Sequence, residues 1–421
     1  MTIPHRFFAS VFVLVFSGAA LAQEFVKADL EQIGMSAERL ETLDSNLKAY
    51  VDENRIAGQV VLVLRNGQVA FSAANGWRDK EDGAAMTDDT IFRIASQTKA
   101  IVSTGIMILQ EQGKLAIGDP LGRYIPEWSD MQVAVPDGSG GYVLEDAARP
   151  ITIRNLLTHT AGVSYGGGPA QDRWEEAGFQ GWYFANRSEP IAETIARMGS
   201  LPLDDHPGDN WIYGYSTDIL GVVIEAASGM DLQSFLQQEI FDPLDMRDTH
   251  FFLPEAKRDR LATVYRPGVN GVEAIPATDG MQSQGMYVDG PRMSYSGGAG
   301  LLSTARDYAR FLQMTLNGGE LDGERILSRK SVELMTVDHL GDIPFRSGQG
   351  FGLGYYVLED LGANGALGTE GEYGWGGAYH STYWVDPEED LVVVYLTQII
   401  PATGLNDYST LRNGVYQAIV D

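Results

Sequence analysis

The sequence predicts an α+β fold of the α/β sandwich type, in which a mostly antiparallel sheet from both chain ends carries an inserted helical lobe. Two observations lead to this prediction. β-rich runs cluster near the two ends of the chain, whereas helical patterns dominate between them. The 421 residues, of which 44% are apolar and 21% charged, have the composition of a folded globular protein with a sizeable core.

The first residues have the pattern of a secretory signal peptide. Arg6 precedes an apolar run that is too short for a comfortable membrane span, and Ala20-Leu21-Ala22 supplies the small residues of a cleavage site. We therefore predict a signal peptide over residues 1–22 and a periplasmic or secreted protein. Because the chain contains no Cys, no lipid anchor can follow the cut, and no membrane anchor is expected in the mature protein.

Residues 23–100 are predicted to contribute strands to the sheet. The hairpin prediction rests on Asn66-Gly67 between two β-rich runs, which is the strongest short signal for a hairpin. The helices follow from apolar residues at helical spacing. The predicted elements are a helix over 36–54, strands over 60–65 and 68–74, a strand-like run at 90–94 and a buried helix over 97–112.

Residues 101–289 are predicted to be mainly helical, and residues 290–421 return to strands. A glycine-rich excursion over 131–150 is expected to be a surface hairpin or loop. Thr304 and Asp307 have the spacing of a helix cap and its partner. The remaining predicted elements are helices over 153–158, 191–198, 217–227, 232–240, 304–316 and 406–420, and strands over 373–383 and 391–397. All regions after residue 22 are interpreted as one domain.

Charge and composition exclude several partners. A net charge of −27 repels nucleic-acid phosphate and anionic membrane surfaces, so we expect neither as a partner. No metal or other cofactor is expected, because Cys is absent and the six His residues form no His-Glu-x-x-His pattern. Asp204-Asp205-His206 is interpreted as a turn, since consecutive residues cannot easily converge on one ion.

Two Ser-x-x-Lys matches put a hydroxyl and an amine one helical turn apart. Ser45 points away from the apolar stripe of its helix, so Lys48 would be hydrated and protonated, and this match is interpreted as a coincidence. Ser96 opens the apolar helix, where free backbone N–H groups favour negative charge, and burial favours the uncharged form of Lys99. The second match indicates a nucleophile, although a helix cap beside a surface Lys fits the same four residues.

Gly162-Val163-Ser164-Tyr165-Gly166 fits the Gly-x-Ser-x-Gly nucleophile elbow, which needs a preceding strand and a following helix. Here the preceding residues 155–158 have a helical pattern, and Gly167-Gly168-Pro169 follows. A turn is therefore expected. His159 and His206 offer no separate case for a Ser-His-Asp triad.

Several segments in consistent order carry a resemblance to a known family. Residues 92–99 resemble the active-site helix of the serine β-lactamase and D,D-peptidase superfamily, with the closest similarity to the class C β-lactamase-like bacterial esterases of family VIII. The resemblance extends from about Leu40 to the C-terminus. Its further segments are residues 156–162, 207–221, 297–305 and 374–378.

The resemblance implies roles for single residues. Ser96 would be the nucleophile, Lys99 its base or proton relay, and Tyr213 the second acid–base group, with Tyr215 as a rival for that role. In place of the Tyr-x-Asn of the lactamases, this chain has Tyr213-Gly214-Tyr215. The backbone N–H groups of Ser96 and Ala378 would form the oxyanion hole.

Trp375-Gly376-Gly377 stands where penicillin-recognising members carry Lys-Thr-Gly on an edge strand, whose cation pairs with the substrate carboxylate. This chain has neither Lys-Thr-Gly nor Lys-Ser-Gly. Losing that contact forfeits about 1.5–3 kcal/mol for an anionic substrate and nothing for an uncharged ester. The Trp offers apolar surface, and the glycines let the acyl group approach the strand. Taken alone, the motif would indicate only a strand edge with a bulge.

Together these features predict an exported serine esterase that forms an acyl-enzyme on a small-molecule ester. The alternatives are a β-lactamase or D,D-peptidase acting on cell-wall peptides, and a non-catalytic penicillin-binding-like protein. An acyltransferase or amide hydrolase on the same scaffold also stays open. Trp174, Trp182, Tyr183 and Phe184 are expected either to form an aromatic wall of the pocket or to belong to the core.

Overall fold

The computed structural model describes residues 24–276 and 286–421, so the predicted signal peptide over residues 1–22 lies outside the described part. The strands are β1 (Gly58–Arg65), β2 (Gln68–Asp79), β3 (Ala84–Ala85), β4 (Phe92–Arg93), β5 (Gln132–Pro136), β6 (Tyr142–Asp146), β7 (Tyr265–Gly268), β8 (Gly271–Ala274), β9 (Leu302–Ser303), β10 (Glu320–Leu321), β11 (Glu324–Arg325), β12 (Gln349–Phe351), β13 (Tyr356–Leu358), β14 (Tyr373–Gly377), β15 (Ser381–Asp386) and β16 (Leu391–Leu396).

The helices are α1 (Ala37–Asp52), α2 (Thr98–Glu111), α3 (Ile153–Leu157), α4 (Gln171–Glu176), α5 (Ile191–Met198), α6 (Ser216–Ser228), α7 (Leu232–Leu236), α8 (Met286–Asp289), α9 (Ala305–Leu316), α10 (Arg329–Met335), α11 (Leu361–Asn364) and α12 (Asp407–Ala418). A 3-10 turn over Ala95–Gln97 precedes α2, and a π-helical turn over Gln237–Phe241 continues α7. In the described part of the chain no single helix is long and apolar enough to cross a membrane, and α6 with the α7 segment passes that test only as a pair bent by 80°.

An eight-stranded antiparallel sheet joins the two ends of the chain in the order β12-β13-β14-β15-β16-β1-β2-β3. At its centre β1 pairs with β16 from Val60 opposite Leu396 to Arg65 opposite Leu391. The predicted hairpin is present, since Asn66 and Gly67 both have positive φ, which is the backbone of a tight hairpin turn. The predicted mostly antiparallel sheet from both chain ends is therefore confirmed.

Helices cover both faces of this sheet because side chains alternate along its strands. Val61 and Val63 of β1 pack in a cluster with α1 and α12 on one face. Leu62 and Leu64 of the same strand face a larger core that includes α2, α6 and α9. The helical region between α2 and β12 rests on this second face, where α6 packs against α2 and α3.

Most predicted helices agree with the structure within a few residues. Thr304 caps α9 by accepting a hydrogen bond from the backbone N–H of Asp307, as its position predicts. The predicted hairpin or loop over residues 131–150 is the β5–β6 hairpin. The predicted helix over 232–240 changes at Leu236 from α-helix to the π-helical turn.

The predicted single strand over residues 373–383 is wrong, because the structure contains two strands there. β14 ends at Gly377, and β15 begins at Ser381, which pairs with Gly377. His380 closes the turn with a left-handed φ of 60°, and its backbone N–H donates to the Gly377 carbonyl at 3.1 Å. No local signal predicts this turn, because Ala378, Tyr379 and His380 are not typical turn formers and Tyr379 is buried.

Candidate active site

Ser96 lies at the sharp junction between β4 and α2. Ala95, directly before it, has a φ of +43°, which is strained for a residue with a Cβ and persists only where the surroundings fix it. Ala95 is fully buried against Tyr379 and Val264. The strained turn therefore presents the Ser96 side chain to a cavity in front of the sheet.

Lys99 lies one turn further along α2, and only 2% of it is exposed. Its Nζ is 3.3 Å from Ser96 Oγ, 3.3 Å from the Tyr165 hydroxyl and 2.8 Å from the Gly298 carbonyl oxygen. In all three contacts the Lys99 Nζ is the donor, so the amine group is held directly against the Ser96 hydroxyl.

The other Ser-x-x-Lys match lies on the solvent side of α1. The Ser45 hydroxyl donates to the Glu41 carbonyl, and Lys48 pairs with Asp52. Both Ser45 and Lys48 are exposed. Its interpretation as a coincidence agrees with the structure.

Tyr213 reaches the same cavity from the segment before α6. Lys99 Nζ is 4.6 Å from the centroid of its ring, and its hydroxyl oxygen accepts a hydrogen bond from Trp375 Nε1 at 3.1 Å. Tyr215, the predicted rival, is buried, and its hydroxyl donates to the Gly181 carbonyl. The structure therefore brings Tyr213, and not Tyr215, to the predicted nucleophile.

Tyr165 is a site residue that sequence reasoning missed. It belongs to the rejected nucleophile elbow, where Ser164 Oγ accepts from the backbone N–H groups of Gly166 and Gly167 in the expected turn. Its hydroxyl contacts Lys99, and its ring meets the Tyr213 ring edge-on with 5.7 Å between centroids. Desolvation, followed by the effect of Tyr213, raises the pKa of Tyr165 well above its usual value, so this phenol stays protonated.

β14 brings the third motif beside the nucleophile. β13 pairs with β14 only at Tyr373 and Gly374, so Trp375–Gly377 have a sheet neighbour on the β15 side alone. A Cβ on Gly377 would lie 2.5 Å from the Ile94 carbonyl oxygen, so glycine is needed for this close approach to the chain before Ser96. Ala378 follows directly, which puts it and Ser96 in the lining of one cavity.

The cavity has a volume of about 440 Å³ and is rich in aromatic rings. Its lining residues are Ser96, Tyr213, Arg346, Tyr356, Trp375, Gly376, Gly377, Ala378, Ser381, Thr382 and Tyr408. The predicted alternative wall of Trp174, Trp182, Tyr183 and Phe184 is not part of this lining. Trp174 is instead buried, and its Nε1 donates to the Pro202 carbonyl. Its ring stacks on the buried Tyr215 ring, so Trp174 and Tyr215 belong to the core of the helical region.

Arg346 is the second residue that sequence reasoning missed. Its guanidinium carbon lies 4.8 Å from the centroid of the Trp375 ring. The wall that Trp375 forms therefore also carries a guanidinium. No motif marks Arg346 in the sequence, because it reaches Trp375 only through the fold.

Neither His159 nor His206 hydrogen-bonds a serine side chain in the described part of the chain. His159 is buried against Tyr213 with 4.7 Å between ring centroids, and burial, followed by the charge of Lys99, holds its pKa well below the usual value. His206 accepts a hydrogen bond from the backbone N–H of Ala148. Residues 24–276 and 286–421 contain no group of three or more His, Asp or Glu side chains that could hold a metal ion.

Known proteins share this architecture over most of the chain. A family model described as Beta-lactamase matches residues 43–408. Protein Rv1367c of Mycobacterium tuberculosis (strain ATCC 25618 / H37Rv) is 34% identical over 385 residues, which cover 85% of this chain and 90% of that protein. Esterase EstB of Burkholderia gladioli is 32% identical over 374 residues, which cover 84% of this chain and 89% of EstB.

A solved structure agrees with these sequence matches. EstCE1, described as a hydrolase with promiscuous acyltransferase activity, superposes on this chain with a TM-score of 0.77 and 28% sequence identity. The superposition covers 92% of this chain and 100% of EstCE1. The likeness therefore includes both the sheet and the helical region.

Proposed function

The chain belongs to the Beta-lactamase family, in the serine β-lactamase and transpeptidase superfamily, and from this premise we propose that it hydrolyses carboxylic esters through an acyl-enzyme on Ser96. The observation that carries the proposal is the 3.3 Å contact between Ser96 Oγ and the buried Lys99 Nζ. The absence of Lys-Thr-Gly and the esterase names of EstB and EstCE1 favour an ester over a β-lactam as substrate.

In the first step Ser96 Oγ attacks the ester carbonyl while its proton passes to the Lys99 amine. A new bond forms between Oγ and the carbonyl carbon, and the carbonyl oxygen becomes an oxyanion. The backbone N–H groups of Ser96 and Ala378 are the donors that we assign to it. Such fixed donors act most strongly where charge develops in the transition state.

In the second step the bond to the alcohol oxygen breaks, and the leaving alcohol takes a proton. Tyr213 is assigned to this transfer together with Lys99. Trp375 Nε1 donates to the Tyr213 hydroxyl oxygen at 3.1 Å, and Lys99 Nζ lies 4.6 Å from the ring centroid. These contacts hold the Tyr213 phenol beside Lys99, from where it can pass a proton to the leaving alcohol.

The last step reverses the first with water as the nucleophile. Water gives one proton to the Lys99–Tyr213 pair and its oxygen to the acyl carbon, and Ser96 Oγ regains a proton as the acid leaves. No group other than Ser96, Lys99, Tyr213 and the two backbone N–H groups is needed for the balance.

Replacement of Ser96 tests the proposal. Ser96→Ala is expected to abolish release of 4-nitrophenol from 4-nitrophenyl butyrate, whereas Ser164→Ala, in the rejected elbow, keeps the wild-type rate. A fluorophosphonate probe should label wild-type protein and not Ser96→Ala. Retained hydrolysis in Ser96→Ala would refute the assignment, and failure of the probe to label wild type would favour the non-catalytic alternative.

A β-lactamase or D,D-peptidase is the second candidate, because the matching family model is that of the β-lactamases. Under this alternative, fluorescent penicillin labels Ser96 and nitrocefin is turned over faster than 4-nitrophenyl butyrate. Under the esterase proposal the order of the two rates is reversed.

Export to the periplasm or the medium is part of the same proposal and rests on the predicted signal peptide. Cleavage after Ala22 would leave a mature chain that begins at Gln23. N-terminal sequencing of the protein from the culture medium or periplasm tests it, and a start at Met1 would refute it.

A further inference from the structure

Arg346 is a cation in a cavity that holds no acidic lining residue among the described parts of the chain. It lies in the segment before β12, at the rim of the cavity that contains Ser96. Its guanidinium is stacked near the rings of Trp375 and Phe345, with 4.8 Å and 5.1 Å from Cζ to the two centroids. Stacking on two rings limits the positions that the side chain can take.

The backbone around Arg346 is fixed on both sides. The Phe345 ring contacts the Trp211 ring with 4.8 Å between centroids. The Arg346 carbonyl accepts from the Gln349 backbone N–H at 3.0 Å, and the Ser347 hydroxyl donates to the Ala363 carbonyl at 2.8 Å. The backbone that carries the exposed Arg346 side chain is therefore anchored on both sides.

No carboxylate of residues 24–276 or 286–421 forms an ion pair or hydrogen bond with Arg346. The acid behind the cavity wall is Glu372, which is 1% exposed and accepts from the Tyr356 hydroxyl. Arg412 already pairs with Glu372 through two contacts of 2.7 Å. A guanidinium has five N–H donors, so Arg346 keeps donors for a bound molecule.

The position of Arg346 relative to Ser96 sets where an anion would lie. Trp375, on which Arg346 stacks, is three residues before Ala378 along β14, and this corresponds to about 10 Å at about 3.3 Å per residue. A substrate whose carbonyl lies between Ser96 and Ala378 can follow the strand to the guanidinium. Trp375 also occupies the place of the lysine in Lys-Thr-Gly, so Arg346 returns a cation to the same wall.

We propose that Arg346 binds a carboxylate carried by the substrate, so that the preferred substrates are esters with a free carboxylate some distance from the scissile bond. This inference rests on the proposed esterase function and narrows its substrate class. Arginine suits the task because its planar fork binds a carboxylate through two parallel hydrogen bonds.

Matched pairs of esters test the inference. One series is the mono-4-nitrophenyl esters of dicarboxylic acids from glutarate to suberate, each compared with its methyl-capped neutral analogue. A second series puts the carboxylate on the leaving half, as in 4-carboxyphenyl butyrate against its methyl ester. The quantity measured is the ratio of kcat/KM for the anionic ester to kcat/KM for the neutral partner, in wild type, Arg346→Gln, Arg346→Lys and the control Arg123→Gln. Arg123 carries the same charge and lies outside the cavity lining.

Wild type is expected to hydrolyse at least one anionic ester as efficiently as its neutral partner. Arg346→Gln should lower the ratio about tenfold, because it removes a charge-assisted hydrogen bond whose strength is reduced by exposure to solvent. Arg346→Lys should restore part of the ratio, Arg123→Gln should leave it unchanged, and salt should lower it in wild type. The series that responds tells which half of the substrate carries the carboxylate.

An unchanged ratio in Arg346→Gln for both series, with Ser96-dependent hydrolysis of the neutral esters intact, overturns the inference and leaves the esterase proposal standing. An equal fall in Arg123→Gln also overturns it, because the effect would then come from net charge. No Ser96-dependent hydrolysis of any ester overturns the esterase proposal and this inference with it.

Discussion

The contact of β14 with the chain before Ser96 can be tested by one added methyl group, in Gly377→Ala. The new Cβ would lie 2.5 Å from the Ile94 carbonyl oxygen, whereas ordinary contacts begin at 3.4 Å. Because the obstacle is backbone, β14 must move by about 0.9 Å relative to the turn that carries Ser96. Misplacement of reacting groups by about 1 Å can cost about 100-fold in rate. We therefore expect kcat/KM for 4-nitrophenyl butyrate to fall about 100-fold.

Gly118→Ala is the matched control for this substitution. Nothing lies within 4 Å of a Cβ built on Gly118, so the same methyl group meets open space there. Thermal unfolding of both variants separates a displaced site from a failure to fold. If folded Gly377→Ala keeps kcat/KM within threefold of wild type, the geometry that we assign to the oxyanion hole is wrong.

Two further predictions concern buried groups near the site and outside it. Tyr165→Phe removes a hydroxyl that contacts Lys99, so we expect kcat to fall about tenfold. The control Tyr215→Phe removes a hydroxyl that donates to the Gly181 carbonyl, and it should change kcat less than threefold. Equal changes of kcat in the two variants would contradict the role of Tyr165. Burial, followed by the charge of Lys257, lowers the pKa of His250 to about 4 from an ordinary value of 6.5. Because the unfolded chain binds this proton at higher pH than the folded chain does, the contribution of His250 to stability is present above pH 6.5 and is lost as pH falls toward 4, by up to about 3 kcal/mol. Urea unfolding at pH 4 and pH 7 should show a smaller loss of stability in His250→Gln than in wild type, and identical losses would refute this account.

The fold was predictable from local patterns because each pattern specifies its turn, strand or helix within a few neighbouring residues. Asn66-Gly67 specifies a tight turn with positive φ at both positions, whatever the rest of the chain does. β1 and β16 contain near-continuous apolar runs, which are typical of strands that are buried on both faces. The predicted strand over 373–383 failed for the same reason, since nothing local distinguishes the buried Tyr379 in a turn from a buried residue in a strand.

Part of the candidate site was predictable for a different reason. Ser96 and Lys99 are neighbours on one helix, so their spacing alone implies contact. Tyr213 and Trp375 lie far from them in sequence and were assigned through the family resemblance. The structure places Ser96, Tyr213 and Trp375 in the lining of one cavity, and Trp375 Nε1 donates to the Tyr213 hydroxyl. Lys99 is not part of that lining, but its Nζ lies 3.3 Å from Ser96 Oγ.

Tyr165 and Arg346 show what such reasoning cannot reach. Tyr165 contacts Lys99, and Arg346 contacts Trp375. In both cases a residue without a motif is brought to a motif residue only by the tertiary fold. Tyr165 also lies in the Gly-x-Ser-x-Gly match around Ser164, which predicts a turn and gives no sign of a phenol in contact with Lys99. The motifs alone favour uncharged esters, because the Lys-Thr-Gly cation is absent. The Arg346 guanidinium at the cavity rim is the basis of our proposal that an anionic ester is preferred. The two descriptions differ in the charge of the preferred substrate, so the ratio of anionic to neutral ester turnover separates them.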